Sequence, residues 1–307
     1  MSIEYAIIIK SKTRLEALIE RFNTKAQAKF YIERQGGNFE NYEQEDAIFH
    51  ASLQQLQSEL SRKIKYKIVD RAFLPSYIFS EKNVIVVIGQ DGLVANTAKY
   101  SKNIPIVAVN PDTERYDGVL LPFSTRNFLQ GIEQVQSGKY HSNIVPFAEA
   151  KLNDGQRLLA FNDLFIGPSS HVSARYKISF NKQTEIQSSS GLIVSTAAGA
   201  TGWMSSIFNM AYGVTGLFDK NLSRKTISIK SNELLFAVRE PFKSIQSQIG
   251  INAGIIRSNQ QLLLESLMPN NGIIFSDGIE SDFLHFNSGA IAKIGIAKET
   301  ANLVLHE

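Results

Sequence analysis

Gly89-Gln90-Asp91-Gly92 follows five consecutive branched apolar residues, Val84–Ile88, and precedes a helical pattern. Glycines at such a turn let the backbone approach a phosphate. The N–H groups of the next helix's first turn point to the same place. A carboxylate there repels a phosphate directly. It makes chemical sense if it holds a metal-bound water or takes a proton from an attacking hydroxyl. An Asp-Gly turn in which Asp91 caps the helix has the same local sequence, so both readings stand.

Two further segments carry polar groups in apolar surroundings. Ser195-Thr196-Ala197-Ala198-Gly199-Ala200-Thr201-Gly202-Trp203 ends one strand pattern and enters a helical one. Small residues and hydroxyls over nine positions would suit a ribose or a phosphate, or a tight strand-to-helix connection. Asn162-Asp163 lies inside the apolar stretch Leu158–Ile166. A buried polar pair needs partners. It would grip a base or ribose hydroxyls, or tie down a loop.

Other chemistries lack their residues. The chain has neither a Gly-x-x-x-x-Gly-Lys-Ser/Thr loop nor a Gly-x-Gly-x-x-Gly fingerprint. His50, His141, His171, His285 and His306 are scattered without metal-ligand spacing. Cysteine is absent, which excludes disulfides, thiolate nucleophiles and Cys-ligated metals. That is compatible with a reducing cytoplasm, the expected location.

The elements that must position these residues divide in two. The 307 residues suggest about two domains, at ~150 residues each. Hydrophobic residues at 43% and charged residues at 20% fit a globular chain with a sizeable core. The net charge of +3 is too small an imbalance to argue for nucleic acid. No apolar run approaches the ~20 residues of a membrane helix. The first ten residues have no basic n-region and read as the start of a strand.

Residues 1–145 alternate strands and helices. Strands are expected at Tyr5–Ile9, Tyr66–Val69, Val84–Ile88 and Ile104–Val109. Helices are expected at Thr13–Thr24, Lys25–Gln35, Asn41–Lys63 and Leu93–Tyr100. Phe49, Leu53, Leu56 and Leu60 form one apolar stripe. This order predicts a parallel α/β sheet. After about residue 145, closely spaced strand patterns predict an antiparallel all-β domain. They are Arg157–Ile166, Ala174–Phe180, Gly191–Thr196, Thr226–Lys230, Leu234–Arg239, Ser247–Asn252, Gln260–Leu267 and Ile273–Phe275, with one helix near Gly202–Val214. Gln134–Phe147 reads as the link. Asn181–Ser188 and Asp219–Lys225 read as polar connections.

Taken in order, the motifs resemble those of the NAD kinase superfamily, which also holds diacylglycerol- and sphingosine-type lipid kinases. Gly89–Gly92 is similar to its Gly-Gly-Asp-Gly signature, Asn162-Asp163 to its Asn-Glu/Asp pair, and Gly199–Trp203 to its Gly-Ser-Thr-Ala-Tyr loop. The mitochondrial-type NAD kinase branch is the nearest in pattern. Val109–Arg115 resembles its Val-Asn-Thr-Asp-Pro-Glu-Arg, and Phe236–Pro241 its Phe-Ser-Ile-Arg-Glu-Pro. Asp277-Gly278 and Phe286–Ala292 also fit, so the likeness covers roughly residues 45–307.

The resemblance implies an α/β domain over 1–145, with 290–307 returning to it, and a dinucleotide-binding β domain over 146–289. It implies ATP-dependent phosphorylation of the NAD adenosine-ribose 2′-hydroxyl. Mg²⁺ would arrive with the nucleotide, without a dedicated protein site. Asp91 would be the catalytic acid/base or the organiser of Mg²⁺; Gly89, Gln90 and Gly92 would form the phosphate turn. Asn162, Asp163, Gly199, Thr201, Gly202 and Trp203 would bind substrate, with Asn110 and Asp277 as neighbours. NAD and ATP would be the partners, with no nucleic acid or membrane, and the chain would be a homodimer or larger homo-oligomer.

Gln90, Leu93 and Ala200 depart from the family pattern at phosphate-facing positions. A positive φ at Gln90 would be strained. These departures keep two alternatives open: a kinase of another hydroxyl acceptor, such as a sugar or nucleoside, and a catalytically weakened nucleotide-binding protein.

Overall fold

The computed structural model describes residues 3–218 and 229–306. The chain forms two compact units, residues 1–144 with 301–307, and residues 145–300.

The first unit is built on β1 (Tyr5–Lys10), β2 (Lys65–Asp70), β3 (Asn83–Ile88) and β4 (Pro105–Asn110), in the order β2-β1-β3-β4, all parallel. Every residue of β3 is buried, as a continuous apolar strand in a covered sheet should be. The helices are α1 (Arg14–Phe22), α2 (Lys25–Arg34), α3 (Glu40–Ser61), α4 (Asp91–Ala98) and α5 (Phe128–Ser137). The α3 stripe of Phe49, Leu53, Leu56 and Leu60 packs with Ile8, Val86 and Val107 of the sheet. Phe128, Ile132 and Val135 of α5 join the same core, a helix the sequence reading missed. The expected parallel sheet is present.

α1 and α2 pack on each other through a separate small cluster of Leu15, Ala28 and Phe39. Thr13 caps α1 reciprocally. Its hydroxyl accepts from Glu16 N at 3.1 Å, and the Thr13 N–H donates to Glu16 Oε2 at 2.8 Å. A short strand β5 (Phe123–Ser124) pairs in parallel with β4 at Val109 and Asn110.

The second unit is antiparallel, as the strand patterns predict. It contains β6 (Ser142–Leu152, from residue 145), β7 (Arg157–Ala160), β8 (Asp163–Pro168), β9 (Ala174–Phe180), β10 (Gln183–Ser189), β11 (Leu192–Ser195), α6 (Trp203–Thr215), β12 (Glu233–Val238), β13 (Ala253–Arg257), β14 (Leu262–Ser266), β15 (Gly272–Ser276), β16 (Ile279–His285) and β17 (Ile291–Val304, to residue 300). One sheet runs β13-β12-β11-β8-β15-β16. Period-two alternation splits its side chains between two cores. Leu164, Ile166, Leu192 and Val194 face a core shared with Tyr176, Ile178, Leu262 and Leu264 from β9 and β14. Phe165, Ile193, Leu235 and Phe275 face the other way, toward Trp203, Met204 and Ile207 of α6. Residues 301–304 of β17 belong to the first unit, where Asn302 and Leu303 pair in parallel with Pro105 and Ile106.

Several expectations need correction. Arg157–Ile166 is two strands, broken at Phe161-Asn162. Asn181–Ser188 is largely β10, paired with β9 over seven positions. Ser247–Asn252 is not a strand. Its backbone N–H groups at Gly250 and Ile251 donate to the Glu185 carboxylate at 3.1 and 2.9 Å, so they are unavailable to a ladder. The Gln134–Phe147 link shrinks to residues 138–141 between α5 and β6. Asp219–Lys225 and residues 226–228 of Thr226–Lys230 lie outside the described residues. Among the described residues, no helix is long and apolar enough to cross a membrane.

Candidate functional site

In the first unit the site begins where β3 stops. Gly89 has φ +157°, and a Cβ there would lie 2.9 Å from Leu93 Cδ2. Leu93, 5% exposed, thus fills the space beneath the turn as a core residue. Gln90 is the N-cap of α4 with φ −102° and ψ 166°, an ordinary extended conformation, so the strain expected from a positive φ does not arise. Its side chain makes no capping bond. Asp91 is therefore the first helical residue rather than the cap. Its Oδ1 accepts from Leu120 N at 2.8 Å, and its carboxylate has no other partner among the described residues. Gly92 is exposed, and a Cβ on it would meet nothing within 4 Å. Packing leaves room at Gly92, whereas a Cβ at position 89 would require the Leu93 side chain to shift.

Asn110 ends β4 and organises the next loop. Its Nδ2 donates to Tyr116 O at 2.9 Å, and its Oδ1 accepts from Asp112 N at 3.0 Å. This side chain is engaged in holding the loop from which Leu120 N–H reaches Asp91. Ser11, Lys12, Arg14, Arg71, Gly89, Gln90 and Gly92 are among the residues lining a ≈ 250 Å³ cavity. The sequence reading did not single out Lys12, Arg14 or Arg71. Their signal was positional: each follows the carboxyl end of β1 or β2, the edge of a parallel sheet where ligands bind.

The second unit holds the other predicted residues. Asp277, at φ +54°, stands opposite the strand break. Its Oδ1 accepts from Asn162 N at 2.6 Å and Asp163 N at 3.2 Å, and its Oδ2 from Phe161 N at 3.1 Å. One carboxylate thereby satisfies the three amides that the broken ladder leaves. Thr196 binds the same break from the other side. Its hydroxyl donates to Phe161 O at 2.6 Å, and its N–H donates to Asn162 O at 2.9 Å. Gly199 N then donates to Thr196 Oγ1 at 3.2 Å. Asn162, Asp163, Asp277 and Gly199 form one cluster.

Burial pushes the Asp163 carboxyl up to about 7, reinforced by the nearby Asp277 charge and opposed by the Ser195 hydroxyl. Asp163 Oδ1 is buried without a hydrogen-bond partner among the described residues. A buried acceptor in this state is the feature most in need of explanation in the unit.

Thr201 and Gly202 are exposed at the start of α6. Trp203 stacks on Phe165, with ring centres 5.7 Å apart and planes 6° from parallel. The Arg239 guanidinium lies 5.7 Å from the Trp203 ring centre. Trp203, Phe165, Arg239, His171 and Ser190 are among the residues facing a ≈ 930 Å³ cavity, which Asn162 and Asp163 do not line. Ala200 is buried, 6% exposed. A hydroxyl there would face protein.

No protein-family model matches the chain. NAD kinases of Saccharolobus islandicus, among them those of strains M.14.25 / Kamchatka #1 and M.16.27, are 25% identical over 150 residues. That segment is 49% of this chain and 54% of theirs, so the chain spans about half the length of the curated relatives it matches. Two solved structures share the fold. Yeast NADH kinase complexed with NADH aligns with a TM-score of 0.61 and 12% identity, over 100% of this chain and 85% of that one. An NAD kinase from Archaeoglobus fulgidus in complex with ATP aligns with a TM-score of 0.57 and 14% identity, over 99% and 94%.

Proposed function

We propose that the chain is a member of the NAD kinase superfamily and transfers the γ-phosphoryl group of ATP to the adenosine-ribose 2′-hydroxyl of NAD, giving NADP and ADP. The observation that carries this reading is the turn at the end of β3. There Asp91, with one oxygen fixed by Leu120 N–H, begins a helix next to a glycine that packing does not require. In the proposed step the 2′-oxygen attacks the γ-phosphorus and the bond to the β–γ bridging oxygen breaks. Asp91 takes the hydroxyl proton.

The first unit would hold the donor phosphates on Gly89, Gln90 and Gly92. The second would hold the dinucleotide through Asn162, Asp163, Gly199, Thr201, Gly202 and Trp203. An ionised Asp163 would accept from a sugar hydroxyl, and its unpartnered oxygen supports that role. Asn110 and Asp277 would act as positioning residues, since both side chains are spent on backbone groups. Among the described residues no group of three or more His, Cys, Asp or Glu side chains is placed to hold a metal ion. Mg²⁺ would enter on the ATP phosphates. Membership of the mitochondrial-type branch, a homo-oligomeric state and a cytoplasmic location complete the proposal.

The test is an assay of purified protein with Mg²⁺, ATP and NAD, with Asp91→Asn as the control. NADP⁺ formation that the variant loses is the expected result. No NADP⁺ above the control would overturn the reading and direct the search to sugar and nucleoside acceptors.

A further inference from the structure

We infer that Lys12, Arg14 and Arg71 form a cationic cradle for the phosphate chain of the phosphoryl donor. This rests on the phosphotransferase reading above and specifies how its donor is gripped. The strand order brings the three together. β2, β1 and β3 are neighbouring parallel strands, so residues after Asp70, Lys10 and Ile88 lie at one sheet edge. Arg71, the corner Lys12-Thr13-Arg14 and the turn residues Gly89, Gln90 and Gly92 follow those ends and line one cavity.

That cavity, at ≈ 250 Å³, is smaller than the roughly 300–1,000 Å³ of a pocket for a whole drug-sized ligand. It fits a phosphate chain better than a whole nucleotide. A ≈ 620 Å³ cavity shares Arg14, Glu45, Gln90 and Tyr116 with it and adds Tyr42 and Asn41. Aromatic rings and amides there suit the nucleoside.

Each cation is available or aimed. The Arg71 guanidinium is exposed and has no ion pair or hydrogen bond among the described residues. Among the described residues Lys12 is held only by Glu20, at 2.7 and 2.8 Å, an exposed pair that a phosphate readily displaces. Arg14 is fixed. Its Nε donates to Glu45 Oε2 at 2.7 Å, its Nη2 donates to the same oxygen, and its guanidinium lies 4.6 Å from the Tyr42 ring centre, which leaves Nη1 without a hydrogen bond among the described residues. The reciprocal cap between Thr13 and Glu16 pins the corner that carries Lys12 and Arg14. The Glu45 carboxylate faces the same cavity. Arg14 and Arg115, the latter at 3.3 Å, neutralise it. The Gln90 amide adds a neutral donor at the edge of both cavities.

The test uses the full chain with Lys12→Ala, Arg71→Ala and Arg71→Lys. Both positions are exposed, and circular dichroism checks the fold; a glutamine variant replaces any alanine variant that folds poorly. Inorganic tripolyphosphate is titrated calorimetrically, and NADP⁺ formation is followed against ATP and against NAD. We expect saturable tripolyphosphate binding, weakened at least tenfold in each alanine variant. The KM for ATP should rise at least tenfold with the KM for NAD within twofold, and Arg71→Lys should recover part of the loss. NADP⁺ formed with tripolyphosphate alone would identify an inorganic donor in the same cradle. No tripolyphosphate binding by the unaltered protein, or unchanged binding and KM in the alanine variants, overturns the cradle. NADP⁺ formation in that case would leave the phosphotransferase reading intact. Cation-dependent tripolyphosphate binding without NADP⁺ would do the reverse.

Discussion

Gly199 lies against Asn162 so closely that a Cβ on it would sit 2.3 Å from the Asn162 carbonyl oxygen. The glycine-rich loop and the Asn-Asp pair, about 35 residues apart in sequence, are one packed object. Gly199→Ala is accordingly expected to destabilise the protein by about 1–3 kcal/mol. Urea unfolding measures this. An unchanged midpoint would mean that the contact relaxes freely.

Gly92 gives the opposite expectation. An added methyl meets nothing within 4 Å among the described residues and sits in the first turn of α4. Gly92→Ala should leave stability unchanged or raise it by up to about 1 kcal/mol. If phosphate approaches there, NADP⁺ formation should fall despite the intact fold. Normal activity would remove Gly92 from the proposed phosphate turn.

Asp91→Asn keeps an oxygen that can accept from Leu120 N–H, so the loop should hold. Thermal unfolding is expected to match that of the unaltered protein. The rate should drop by ~10²–10⁴, the usual contribution of a positioned proton acceptor. A smaller drop would point to a positioning role for Asp91.

Asp277→Ala removes the acceptor for the amides of Phe161, Asn162 and Asp163. Leaving buried donors unpaired costs about 1–3 kcal/mol each at most, so a loss of several kcal/mol is the upper bound. Hydrogen exchange at those three amides reads it directly. Continued protection in the variant would show that another group takes over.

Asp163 should make stability depend on pH in an uncommon direction. Its carboxyl ionises near 3.8 when unfolded and near 7 when folded. Between those values the unfolded chain has released a proton that the folded chain still holds. Stability therefore falls as pH rises from about 4 to 7, then levels off. Asp163→Asn removes this loss. The variant's advantage should grow from pH 4.5 to pH 8 and reach the order of 2–4 kcal/mol. An advantage independent of pH would mean that Asp163 is already ionised in the fold.

The elements that sequence reveals are those whose burial follows a local period. β3 is branched and apolar along its length, and the α3 stripe repeats every three or four residues. β10 was hidden because Gln183–Ser189 is polar apart from Ile186. Its place is fixed by pairing with β9 and by the Tyr176 hydroxyl, which donates to Gln187 Oε1 at 3.0 Å. Ser247–Asn252 deceived in the other direction, because a distant carboxylate takes its amides. The same distinction holds in the site. Gly89–Gly92 and Asn162-Asp163 are contiguous and therefore legible. Arg71 is brought to the corner Lys12-Thr13-Arg14, and that corner to the Gly89–Gly92 turn, only by strand order, which no short window contains.

The sheet of the first unit takes in a stretch from beyond the second unit. Asn302 and Leu303 complete it beside β4, and Leu305 N donates to His141 O at 2.9 Å. During synthesis, residues 1–144 must leave the ribosome well before that strand exists. Their sheet waits with an open edge beside Pro105 and Ile106 while the intervening 156 residues, 145–300, are made. A ribosome stalled or a message cut short before codon 301 would release a chain with that edge uncovered. Such a chain would be a ready substrate for chaperones and proteases.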